Sequence, residues 1–130
     1  MMKELTNEIF PEPIGAYSNG LSIPIGERTL IVLTGQQAIG TDGKAAFPND
    51  VAKQTEFIFQ RIQSLLAEAG ASLDNAIKIV IYVTDMKYFS EVSPVRNKYL
   101  NKSRPVSTLV EVNGLTIPGC DIEIDLTALI

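Results

Sequence analysis

Three carboxylates near the end of the chain, Asp121, Glu123 and Asp125, alternate with Ile122, Ile124 and Leu126. In a β-strand that spacing puts the acids on one face and the apolar residues on the other. Such an acidic face is ordinarily solvated. A carboxylate held in a cleft is instead a general acid or base, or a hold on an attacking water. The other residue types narrow the chemistry further. The chain has no histidine and a single cysteine, Cys120. A Ser-His-Asp triad, a Cys-His pair and a His-ligated metal are therefore excluded, as are a thiolate zinc site and an internal disulfide. Chemistry falls to carboxylates, hydroxyls, amides, lysine, arginine, tyrosine or bound water. Cys120 follows Gly119 and reads as a small, unreactive thiol.

The chain of 130 residues fits one domain, taken as residues 1–130, with 45% hydrophobic and 20% charged residues. Its net charge is −4 and its lysines and arginines are scattered. A surface that tracks phosphates needs them clustered, so nucleic acid is not an expected partner. No apolar run approaches the roughly 20 residues that span a bilayer. Lys3, Glu4 and Glu8 replace the apolar region of a signal peptide. Together with the lone cysteine, this points to the cytoplasm.

The elements that must position the acids follow from periodicity. Pro11, Pro13 and Gly15 mark an irregular lead-in. Tyr17–Ile23 reads weakly as a strand, residues 25–28 as a turn, and Thr29–Thr34 as a strand apolar on both faces. Residues 35–50 read as a loop. Val51, Thr55, Ile58, Ile62, Leu65 and Ala69 recur at helical steps. Asn49 or Asp50 can cap that helix, and Gly70 fits its end. Ala76–Thr84 reads as a strand. Asp85 can cap a second helix over residues 86–100, which Pro94 makes start late or kink. Ser107–Val112 and Asp121–Leu126 complete a β-β-α-β-α-β-β order. Two helices cover one face of such a sheet. The apolar runs at 29–34 and 77–83 suggest that the other face is buried against further copies of the chain.

Several segments resemble the Rid family (reactive-intermediate deaminases, also called YjgF-like proteins). Residues 14–18, Ile-Gly-Ala-Tyr-Ser, resemble its Ile-Gly-Pro-Tyr-Ser opening, and Thr34-Gly35-Gln36 its Ser-Gly-Gln. Gln54-Thr55 with residues 66–74 resembles its central helix and the turn after it. Val83-Thr84-Asp85-Met86 with Phe89 resembles its Val-x-Asp-Met-x-x-Phe. Residues 104–112, Arg-Pro-Val-Ser-Thr-Leu-Val-Glu-Val, and the strand with Glu123 resemble its C-terminal signature.

The resemblance implies a chorismate-mutase-like α+β fold assembled as a homotrimer, with sheets in a central barrel and a small-molecule cleft at each subunit boundary. It implies hydrolysis of enamines and imines to 2-oxo acids and ammonia without a cofactor. By position, Glu123 matches the glutamate that positions the attacking water. Tyr17, Thr34 and Gly35 match cleft residues, and Ser93 falls where many members carry asparagine. Ser107 stands where active members carry the arginine that pairs with the substrate carboxylate. Arg104 is three residues from Ser107, roughly 10 Å along a strand and on its other face. Direct rescue by Arg104 along the strand is therefore not expected. Arg104 and Arg96 read first as surface charges, leaving the cleft a neutral hydroxyl, with entry of either from a loop or a neighbouring subunit as the alternative. Two functions follow: a deaminase-like hydrolase of altered substrate preference, or a non-catalytic trimer that binds a small metabolite. A ribonuclease role, also attached to the family, is disfavoured by the acidic charge and the missing histidine.

Overall fold

A computed structural model describes residues 1–130. The alternation at residues 122–129 does form a strand, β7 (Ile122–Leu129), and Ile122, Ile124 and Leu126 are buried. The helical stripe forms α1 (Val51–Ala67), capped by Asp50, whose side chain accepts from the Lys53 N–H at 3.0 Å. Its buried face carries Val51, Thr55, Ile58, Ile62 and Leu65. Gly70 follows with φ of 72°, a left-handed conformation that glycine adopts without a Cβ clash.

The remaining elements are β1 (Lys3–Leu5), β2 (Gly20–Ile25), β3 (Arg28–Leu33), β4 (Gln36–Gln37), β5 (Ala76–Val83), α2 (Phe89–Leu100) and β6 (Val106–Glu111). The sheet runs β1-β2-β3-β7-β5-β6, with β4 paired to β7. Only β5 and β6 are parallel, because α2 carries the chain back between them. The fold is α+β, as expected, with details that differ. The first long strand starts at Gly20, so Tyr17 lies in the loop before it. The short strands β1 and β4 interrupt what reads as lead-in and loop. Asp85 caps a 3₁₀ turn, Met86–Tyr88, and α2 proper begins only at Phe89 with Pro94 inside it.

Both helices lie on one face, over Ile31, Leu33, Ile79, Ile81, Val83 and the inward residues of β7. The two helices meet through Phe59 and Tyr99, whose rings stack at 4.8 Å. Beside them, Lys98 and the Tyr99 hydroxyl both bond Glu56. These bonds, Lys98 first and Tyr99 second, hold the Glu56 carboxyl below its ordinary value of 4.5. A group with a depressed folded pKa stabilises the fold above its unfolded pKa and loses that contribution as pH falls through the folded one. The urea midpoint is therefore expected to fall as pH drops below 4.5, and Glu56→Gln to remove part of that fall. Equal acid sensitivity in the two proteins would contradict this.

The second sheet face is open in the single chain. Val32 and Val110 are each 38% exposed and Val106 69%. This is the face that the apolar runs at 29–34 and 77–83 lead one to expect further copies of the chain to cover. No helix is long and apolar enough to cross a membrane.

Candidate functional site

Glu123 follows Ile122 on β7 and so projects from the open face. Gln37 on β4 lies directly across from it, and its Nε2 donates to Glu123 Oε1 at 2.9 Å and to Thr116 Oγ1 at 2.8 Å. The other carboxylate oxygen lies against Gly35. A Cβ there would stand 2.3 Å from Glu123 Oε2 and 2.8 Å from Cδ, so only a glycine leaves the carboxylate where it is. Tyr17, Thr34, Gly35, Gln37, Thr116 and Glu123 line one pocket of about 440 Å³. Arg61 also reaches its edge, but its guanidinium packs on Phe57 and Phe10 and donates to the Ile9 carbonyl at 2.8 Å. The neighbouring acids have separate partners: Asp121 accepts from Thr84 Oγ1 and Asp125 from the Tyr82 hydroxyl, each at 2.9 Å. Of the three carboxylates, Glu123 is the one that lines this pocket with the Tyr17, Thr34 and Thr116 hydroxyls.

Ser93 and Ser107 are not in that pocket. Ser107 pairs across the sheet with Ile79, whereas Glu123 pairs with Tyr82. Ile79 and Tyr82 are three residues apart on β5, so they point to opposite faces. Ser107 therefore faces α2 at the sheet edge and Glu123 faces away from it. One chain does not bring the two together.

Near Ser107 the structure departs from the neutral hydroxyl expected there. Arg96 on α2 extends over it: Nη1 lies 3.4 Å from Ser107 Oγ, Nη2 donates to Ser93 Oγ at 3.1 Å, and Nε to Asn97 Oδ1 at 3.1 Å. Ser93 and Arg96 are one helical turn apart and share a side of α2. Arg96 is only partly exposed and is not the free surface charge expected of it. The alternative of an arginine entering from outside the strand thus applies to Arg96 at Ser107, by way of a helix and not a loop. Arg104 ends the turn after α2 with φ of 48°, its N–H on the Leu100 carbonyl at 2.9 Å, and lines the same pocket of about 540 Å³ as Arg96 and Ser107.

A family model described as Endoribonuclease L-PSP matches residues 8–130. The chain belongs to the Rid (YjgF/RutC) family. A RutC family protein of Pyrococcus abyssi is 32% identical over 116 residues, 88% of each chain. Protein HMF1 of Saccharomyces cerevisiae is 30% identical, over 93% of this chain and 89% of its own. The crystal structure of the Rid protein YyfA from Yersinia pestis superposes with a TM-score of 0.86 at 26% identity, covering all of both chains.

Three supports of the candidate site are not marked by any local sequence pattern. Gln37 and Thr116 have no periodicity that marks them, and only the pairing of β4 with β7 brings Gln37 to Glu123. Gln54 was visible only as part of the family likeness. It is buried; its Nε2 donates to the carbonyls of Phe47 and Gly119, and its Oε1 accepts from the Asp121 N–H at 2.9 Å. One amide thereby fixes the start of the strand that carries Glu123. Gln54→Leu keeps most of the volume and leaves three backbone groups without this partner. Because some can turn to water, the expected loss is about 2 kcal/mol of unfolding free energy, read from the denaturant midpoint. An unchanged midpoint would contradict it. Cys120, bonded to the Ala38 carbonyl, is buried, and burial pushes its thiol pKa up, away from a nucleophile's range.

Proposed function

We propose that this Rid-family chain hydrolyses small imines and enamines, using a homotrimer whose clefts each take the Glu123 pocket from one copy and the Ser107 edge from the next. The observation that carries the reading is the placement of those two groups on opposite faces of one sheet. A neighbouring copy packed on the open face supplies the missing half, and covering the exposed Val32, Val106 and Val110 there favours that packing. Glu123, oriented by Gln37 and set against Gly35, holds a water and accepts its proton as the oxygen adds to the C=N carbon. Glu123 passes that proton to the nitrogen and then relays the carbinolamine's hydroxyl proton to it as well, so that ammonia leaves and the 2-oxo product remains; an enamine enters this sequence after tautomerising to its imine. Tyr17 and Thr34 supply hydroxyls that orient the substrate. No step needs a cofactor. The reading is of a cytoplasmic enzyme with a small-molecule substrate and no nucleic-acid partner.

Ser107 favours a second reading, a trimer that binds a metabolite without turning it over. Generating 2-aminoacrylate in situ and following 2-oxo acid release separates the two. Release faster than in buffer, and dependent on Glu123, supports the hydrolase; release at the buffer rate supports the binder.

A further inference from the structure

We propose that Arg96, reaching from α2, is the anion anchor of the cleft and receives the carboxylate of its ligand. This deepens the hydrolase reading and rests on it for the placement of the cleft. Arg96 carries five N–H donors and three are spent, all on neutral oxygens. The ion pairs of the chain are Lys87–Asp85 and Lys98–Glu56, so the Arg96 charge has no carboxylate partner. Its pocket contains a second arginine, Arg104, with Asn97, Asn101 and Ser107, and no acidic residue lines it. In a chain of net charge −4, two guanidiniums at one acid-free pocket make a local site for an anion.

The geometry also says which anion group fits. Asn97 and Ser93 brace the guanidinium from two sides, so little side-chain freedom is lost when a ligand binds. One N–H remains on each of the two terminal nitrogens, and a pair of guanidinium N–H groups can grip a carboxylate with two bonds. The Ser107 hydroxyl accepts from Arg96 only at 3.4 Å, and its own proton is free to join them. A long side chain at position 107 would occupy the space that Arg96 now enters. The serine and the helical arginine thus work as a pair: the cation is present, but it is mounted on α2.

The test is binding of 2-oxobutanoate to the intact oligomer, with inorganic phosphate as the comparison anion, in the wild type, Arg96→Ala and Arg96→Ala/Ser107→Arg. Losing charge-assisted bonds of this kind is expected to weaken 2-oxobutanoate by about 10–100-fold in Arg96→Ala. Returning a guanidinium on β6 in the double variant is expected to recover most of that loss, which a merely structural role for Arg96 would not allow. Unchanged affinity in Arg96→Ala, no recovery in a double variant of native circular dichroism and oligomeric size, or phosphate binding as tightly as the oxo acid would each overturn the proposal. Turnover decides the other question separately. Arg96-dependent binding without hydrolysis keeps the anchor and discards the hydrolase; hydrolysis whose KM ignores Arg96→Ala does the reverse.

Discussion

Glu123→Gln is expected to lower kcat for hydrolysis of a small 2-imino acid by about 10²–10⁴-fold, the range of general acid–base assistance. The substitution is close to isosteric, and the new amide oxygen can still accept from Gln37 Nε2. What disappears is the charge and the ability to take a proton from water. KM should therefore change little, because the effect falls on the transition state and not on binding. Steady-state kinetics on the purified protein reads both quantities. A kcat within a few-fold of the wild type would remove Glu123 from the mechanism.

Gly35→Ala is expected to cost about 10²-fold in kcat by another route. The added methyl would stand 2.3 Å from Glu123 Oε2, far inside van der Waals contact. The carboxylate is the free end of a side chain, so it moves aside and the fold survives. Displacing a reacting group by about 1 Å is enough for a loss of that order. The melting temperature should change little. Because both changes act on one carboxylate, the double variant should be no worse than Glu123→Gln alone. Additive losses would mean that Gly35 acts independently of Glu123.

What the sequence made legible was what repeats. The alternation at Ile122, Ile124 and Leu126 and the stripe from Val51 to Leu65 are periodic signals, and both match buried faces in the structure. Strands β1 and β4 have three and two residues, too few for a period; they exist because neighbouring backbones pair with them. The candidate site was half legible for the same reason. Parity within β7 places Glu123 on the face away from the helices. The face of Ser107, however, depends on the register of β6 against β5, which no local pattern encodes. The approach of Arg96 depends on the crossover of α2 above that edge. Along the strand alone position 107 is uncharged, whereas in the fold a guanidinium lies 3.4 Å from its hydroxyl. Ser107→Arg in the native background would accordingly set two guanidiniums side by side, and is a worse probe than the exchange made together with Arg96→Ala.

Subunit mixing tests most directly whether a working cleft needs two copies of the chain. Glu123→Gln and Arg96→Ala are each purified, unfolded together in equal amounts, refolded and assayed at low imino acid concentration. In a cyclic assembly a boundary is intact when one side comes from each variant in the right order, so activity is expected to reach about one quarter of the wild-type rate. Activity no higher than the mean of the two parents, in a mixture shown to contain hybrid oligomers, would contradict a cleft shared between copies.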